Sequence, residues 1–220
     1  MGVIQAVLFD LDGTLIDSAP DLAGTGNDMR VARGLPPLPY ETFRPMVGSG
    51  ARGMLGIALE VTPEDDDFPA LREEFLNRYE ARMMGQTDVF PEMRPVLEAL
   101  NRQGVPWGIV TNKAERFTLP LVRAIGGLAG ARVVVGGDTT PHSKPHPAPL
   151  LEAARRLGLE PEACVYVGDD LRDVQAGRAA GMATVAAAWG YLGLGDPIAA
   201  WGADHLIKTP NELLNLLSLA

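Results

Sequence analysis

The stretch Val3-Ile4-Gln5-Ala6-Val7-Leu8-Phe9-Asp10-Leu11-Asp12-Gly13-Thr14 decides the fold of this chain. Its first seven residues are short, β-branched and almost continuously apolar. That pattern predicts a strand buried on both faces, as in a parallel sheet. Two carboxylates two positions apart follow directly. Placed at the end of a buried strand, Asp10 and Asp12 are costly unless a cation joins them. A hard divalent ion with oxygen ligands does so, and magnesium suits phosphate chemistry. Asp12-Gly13 read alone is most often only a turn, but its position against an apolar strand weakens that reading.

Downstream the same grammar repeats. From Pro91 the pattern predicts helices over 91–102, 113–125, 147–157 and 170–180. These alternate with strands over 105–110, 132–135, 163–167, 182–187 and 204–207, and a last helix opens at Thr209-Pro210-Asn211-Glu212. Repeated helix–strand units predict a doubly wound, Rossmann-like parallel sheet of the α/β class. Between the first strand and this alternation the chain reads as helical. Ser18 with Asp21 resembles a capping box, with Pro20 in the first turn. Thr62-Pro63-Glu64-Asp65 reads as another helix start, with Leu71, Phe75, Leu76 and Tyr79 as the apolar stripe. The organisation predicted is a core of residues 1–16 plus 86–220, with a helical domain inserted at 17–85.

Ligands of such sheets bind beyond the carboxyl ends of the strands. The residues there are Asp10-Leu11-Asp12-Gly13-Thr14, Thr111-Asn112-Lys113 and Gly168-Asp169-Asp170, and Ser143-Lys144-Pro145 lies in a loop nearby. One carboxylate can attack phosphorus while its neighbour moves protons. Asp169 and Asp173 can complete the acidic cluster. The Thr111 hydroxyl and the next amides can hold a phosphate oxygen at a helix start. Asn112 with Glu115 can equally be a helix cap, and Lys144 read alone is a solvated loop lysine. His142 and His146 read as loop histidines, and Cys164 as a small core residue.

Composition narrows the function. The 220 residues are 46% hydrophobic and 21% charged, enough for a sizeable core without disulfide or metal staples. The longest apolar runs are too short to span a bilayer. The first residues lack the basic region of a signal peptide. A single cysteine excludes an internal disulfide and points to a reducing, cytoplasmic compartment. A net charge of −9 argues against a nucleic-acid partner while leaving room for a small phosphorylated one.

Taken together, the four clusters resemble the haloacid dehalogenase (HAD) superfamily. Asp10-Leu11-Asp12-Gly13-Thr14-Leu15 matches its first motif, and Thr111, Lys144 and Gly168-Asp169-Asp170-Leu171-Arg172-Asp173 match the other three. Asp12 is typical of the phosphatase and phosphomutase members. Asp17-Ser18-Ala19-Pro20-Asp21-Leu22 and Trp189-Gly190-Tyr191 are similar to phosphoglycolate phosphatases. Arg33-Gly34-Leu35-Pro36-Pro37 and Gly50-Ala51-Arg52 are similar to N-acetylmuramic acid 6-phosphate phosphatases.

The resemblance implies a HAD core with an α-helical C1-type cap and hydrolysis of a small phosphate monoester through an aspartyl-phosphate. Asp10 would be the nucleophile and Asp12 the acid–base. Mg2+ would be held by the Asp10 carboxylate, the Asp12 carbonyl and Asp169. Asp173 would support the metal or orient Lys144. Gly13, Thr14, Thr111, Asn112 and Lys144 would bind the phosphoryl group. Gly48-Ser49-Gly50-Ala51-Arg52-Gly53 is a candidate substrate loop, with Arg52 placed to meet a substrate carboxylate or merely solvated. The alternatives are a sugar phosphomutase and a binding module that lost catalysis.

Overall fold

The computed structural model describes residues 4–218. Val3, the start of the predicted first strand, lies outside them. Strand β1 (Ala6–Phe9) is fully buried. It leads into β2 (Ile16–Asp17), then α1 (Ala19–Val31), α2 (Tyr40–Phe43), α3 (Gly50–Leu59) and α4 (Phe68–Arg82). The chain returns through β3 (Asp88–Val89) to α5 (Met93–Arg102), β4 (Trp107–Val110), α6 (Glu115–Ala124) and β5 (Val133–Val135). It closes with α7 (Ala148–Leu157), β6 (Cys164–Gly168), α8 (Leu171–Ala179), β7 (Ala183–Ala187), β8 (His205–Ile207) and α9 (Asn211–Leu216).

Six strands form one parallel sheet in the order β5-β4-β1-β6-β7-β8. Alternate residues of the central strands face different cores, because successive side chains on a strand point to opposite faces. Val7, Phe9, Trp107, Ile109, Val165 and Val167 enter one apolar cluster. Ala6, Leu8, Val110, Val133, Val135 and Tyr166 enter the other. The first cluster takes α5, α6 and α9, together with the inserted helices. The second takes α7 and α8 through Leu150, Ala153, Ala154 and Ala176. This is the doubly wound α/β architecture that the alternation predicts. The chain turns from one half of the sheet to the other between β1 and β6, which pair with Ala6 opposite Cys164 and Phe9 opposite Val167.

The inserted helices are joined to the sheet by a short antiparallel ribbon. Ile16 pairs with Val89 and Asp17 with Asp88. Two residues per strand carry no periodicity, and the sequence reading misses both. Asp21 locks this junction. Its buried Oδ2 accepts from the Gln86 and Thr87 amides and the Thr87 hydroxyl, each at 2.8 Å.

Several predicted caps are corrected. Ser18 makes no side-chain cap on α1; its hydroxyl donates to the Asp12 carboxylate instead. Thr62-Pro63-Glu64-Asp65 is a turn, with the Thr62 amide donating to Asp65 Oδ2 at 2.7 Å, and α4 begins only at Phe68. Asn112 does not cap α6, whose first amide, Glu115 N, donates to Asp138 at 2.8 Å. At α8 the reciprocal box forms with Asp170 and Asp173 as partners.

Candidate active site

Asp10 leaves the end of β1 and Asp169 the end of the adjacent β6, so the turning point of the sheet brings the two together. Thr111 leaves the end of β4 on the other side of β1, where Phe9 stands opposite Ile109. Lys144 arrives from the loop before α7. One cleft of about 510 Å³ is lined by Asp10, Asp12, Arg52, Thr111, Asn112, Lys144, Asp169 and Asp173. Gly13 and Thr14 do not line it.

Lys144 is only 4% exposed, so its ammonium must be satisfied by the protein. It donates to Asp10 Oδ1 at 2.8 Å, Asp173 Oδ1 at 2.7 Å, the Tyr166 hydroxyl at 2.8 Å and the Val110 carbonyl at 3.0 Å. Burial works against its charge, but Asp10 and Asp173 overcome that and hold its pKa above the ordinary lysine value. The loop carrying Lys144 is fixed by Asn112. The Asn112 amide nitrogen donates to the Lys144 carbonyl, and its oxygen accepts from the Lys144 amide, both at 2.9 Å. The asparagine that reads as a helix cap in sequence is thus a clamp on the lysine.

Asp10, Asp169 and Asp173 are all buried, and each offers an oxygen within 4.8 Å of the others. Burial pushes the Asp10 carboxyl up to about 7, against the pull of Lys144. Burial, with Asp10 and Asp173 beside it, raises Asp169 well above the usual carboxylate range. Like charges crowded out of water raise each other's pKa in this way. One ammonium among three carboxylates leaves negative charge uncompensated, and the donors are all oxygen, so the cluster fits a hard divalent cation.

The carboxylates differ in how they are held. Asp169 Oδ1 accepts from the Thr14 hydroxyl at 2.9 Å and Oδ2 from the Tyr191 amide at 2.7 Å. A Cβ on Gly13 would stand 2.2 Å from Asp169 Oδ2, and one on Gly190 2.2 Å from Asp169 Cβ. Only glycine fits either position. Thr14 therefore orients Asp169, and the Gly13 amide donates to the Ile16 carbonyl at 2.9 Å. Asp173 Oδ1 accepts from the Lys144 ammonium at 2.7 Å and its Oδ2 from the Asp170 amide at 3.1 Å.

Asp12 is approached on Oδ1 by the Ser18 hydroxyl and, at 3.1 Å, by the Lys113 ammonium. The Thr111 oxygen accepts from the Lys113 amide at 3.1 Å, so the Thr111 hydroxyl proton is left for a ligand. From the inserted helices, Gly48, Ser49, Gly50, Ala51, Arg52 and Tyr79 line the same cleft. Arg172 bridges to them: it pairs with Asp170 at 2.7 Å and donates to the Gly48 carbonyl.

Four residues to which the sequence assigns no role stand in the site: Lys113, Tyr79, Tyr166 and Arg172. Lys113 follows Thr111 by two residues, so its place after a buried strand was the available signal. Tyr79 stands in the predicted apolar stripe, where its hydroxyl was the odd feature. The partners of Tyr166 and Arg172 have no local signature. Cys164 is buried in β6, and burial pushes its thiol up to about 11, as befits a core residue. His142 and His146 stack on an exposed loop, their ring centroids 4.3 Å apart.

Residues 4–181 match the family model of the haloacid dehalogenase-like hydrolases. Over 213 residues the chain is 47% identical to a phosphoglycolate phosphatase of Xanthomonas campestris pv. campestris, covering 95% of this chain and 94% of that one. It is 40% identical over 217 residues to an N-acetylmuramic acid 6-phosphate phosphatase of Pseudomonas aeruginosa, covering 99% and 96%. The solved structure of a predicted phosphoglycolate phosphatase from Haemophilus somnus 129PT superposes with a TM-score of 0.85 at 30% identity, covering 98% of this chain and 99% of that one.

Proposed function

The chain belongs to the haloacid dehalogenase-like hydrolases, and from that premise we propose that it is a magnesium-dependent phosphatase of small, carboxylated phosphate monoesters, with 2-phosphoglycolate as the leading substrate. Three buried carboxylates around one ammonium, at a strand-end cleft, support this reading above all.

Magnesium held by the Asp10 and Asp169 carboxylates and the Asp12 carbonyl would offset charge on the phosphoryl oxygens. Asp173, paired with the Lys144 ammonium at 2.7 Å, serves to orient it. Lys144 fixes one Asp10 oxygen and leaves the other to attack. The Asp10–phosphorus bond forms as the ester P–O bond breaks, and Asp12 gives its proton to the departing alkoxide. A water then attacks the same phosphorus, Asp12 takes its proton, and the Asp10 carboxylate is released with phosphate. The Thr111 hydroxyl and Asn112 backbone amide, in the loop that follows β4, hold the phosphoryl oxygens. The segment 17–85 acts as a cap over this site, and closure excludes bulk water while the phosphoryl group passes to Asp10.

N-acetylmuramic acid 6-phosphate is a second reading. The cleft is larger than a two-carbon ester fills, and its upper wall carries Arg52, Arg72, Phe75 and Leu76. A carboxylated sugar would use that wall. Both substrates are soluble metabolites, and we place the enzyme in the cytoplasm. Among the described residues no helix is long and apolar enough to cross a membrane. Comparing kcat/KM for the two esters, with magnesium and with a chelator, tests the reading. Turnover of neither ester, or turnover unaffected by chelation, overturns it.

A further inference from the structure

Tyr79 rides on α4 of the insert, yet its hydroxyl reaches the reacting end of the sheet. It is 1% exposed, and its ring packs on Phe117 of α6 with centroids 5.5 Å apart. The Lys113 ammonium lies 4.7 Å from the Tyr79 ring centroid and donates to its hydroxyl at 3.0 Å. The same ammonium stands 3.1 Å from Asp12 Oδ1. Burial opposes the Lys113 charge, but Asp12 and Tyr79 together hold it above the ordinary lysine range.

We propose that Tyr79 is a positioning residue which, through Lys113, sets the place of the Asp12 carboxylate when α4 is docked on the sheet. The inference rests on Asp12 being the acid–base of the proposed reaction.

Packing alone does not call for a tyrosine here. Phenylalanine would keep the contact with Phe117 and the ring face under the ammonium. The hydroxyl adds a second anchor for a lysine that stands in an acidic cleft. Held by Asp12 alone, the long flexible ammonium could slide toward Asp10, two residues away. Held at two points, it has one direction. Lys113 and Asp12 come from the sheet and Tyr79 from the insert, so the chain Tyr79–Lys113–Asp12 is complete only with the insert closed. Arg116 of α6 supports that closed arrangement through Glu80 and Glu73 of α4, at 3.3 and 3.8 Å. A catalytic group displaced by about 1 Å loses on the order of a hundredfold in rate. Loss of one of two anchors should therefore cost about tenfold in the step that uses Asp12.

The test is single-turnover kinetics of phosphoryl transfer to Asp10, with an alkyl phosphate and with p-nitrophenyl phosphate. Nitrophenolate needs little protonation, so only the alkyl ester leans on Asp12. Tyr79→Phe should slow the alkyl ester about tenfold more than the nitrophenyl ester, with KM little changed. Lys113→Met should do the same. The double variant should be no worse than Lys113→Met, because the two act in series. Equal losses on both esters in Tyr79→Phe, or additive losses in the double variant, overturn the proposal. Asp12→Ala separates the two levels. If it fails to discriminate between the esters, the acid–base reading itself is wrong. If it discriminates and Tyr79→Phe and Lys113→Met do not, only the positioning role falls.

Discussion

Replacing Lys144 with methionine removes the ammonium that Asp10 and Asp173 share, while leaving a side chain of similar length in the same buried slot. Four contacts vanish: Asp10, Asp173, the Tyr166 hydroxyl and the Val110 carbonyl. Deleting one partner of a buried ion pair costs about 3–5 kcal/mol. For a chain of this length that is roughly 6–20 °C in Tm, at about 2–4 °C per kcal/mol. The cost must grow with pH. In the wild-type protein the Asp10 carboxyl is already raised to about 7, against about 3.9 when unfolded. Between those values the native state holds the extra proton, so stability falls as pH rises through the window. Without Lys144 the window moves higher, because its main charge-stabilising partner is gone. Below it the carboxyl is neutral and misses the ammonium less. Thermal unfolding of metal-free wild-type and Lys144→Met proteins at about pH 5 and about pH 8 reads this directly. The difference in Tm should be smaller at the lower pH, where the contacts to Asp173, Tyr166 and Val110 are still lost, and reach the stated range at the higher. A difference that is the same at both pH values, or below about 1 kcal/mol at the higher one, would mean that the Asp10–Lys144 pair does not set this stability.

Asp10→Asn should abolish turnover by at least about a thousandfold, since an amide neither attacks nor ligates well. It should raise the Tm of the metal-free protein by relieving the crowded carboxylates. Magnesium at a hundredfold over its Kd should stabilise the wild-type protein by about 2.7 kcal/mol, and Asp10→Asn should lose most of that gain in a thermal shift. Asp21→Ala, which strips three donors at the ribbon joining insert and sheet, should cost about 3 kcal/mol or more in denaturant unfolding. Arg52→Ala should cut kcat/KM for a carboxylated ester roughly thirtyfold or more, and p-nitrophenyl phosphate far less; parallel losses would assign Arg52 to cap structure instead.

What was legible in the sequence followed from burial. A β-branched run ending in Asp10 can only be an inner strand, and carboxylates at its end demand a cation. The parallel, doubly wound sheet followed from the alternation of helices and strands, whereas the strand order that sets Asp10 beside Asp169 depends on which strands pair. Lys144 was legible only in part: a loop lysine is ordinarily solvated, but carboxylates gathered round a phosphate need a fixed positive charge, and the family resemblance pointed to the same residue. Lys113 and Tyr79 were visible in the right segments, but their pairing spans 34 positions and depends on how α4 docks. The cap readings at Ser18, Thr62 and Asn112 failed for one reason. Short polar side chains that suit a helix start serve equally well in other hydrogen bonds. Here the Ser18 hydroxyl is drawn to Asp12, the Thr62 hydroxyl to Asp65 in a local turn and the Asn112 side chain to the Lys144 backbone.

The central claim is that Asp10 carries the phosphoryl group. Acid quenching during turnover of 2-phosphoglycolate bearing radiolabelled phosphate, followed by peptide mapping, tests it most directly. Label is expected on the peptide containing Asp10, released by hydroxylamine and absent from Asp10→Asn. Full turnover of the ester with no label trapped on that peptide, or label on any other residue, would contradict it.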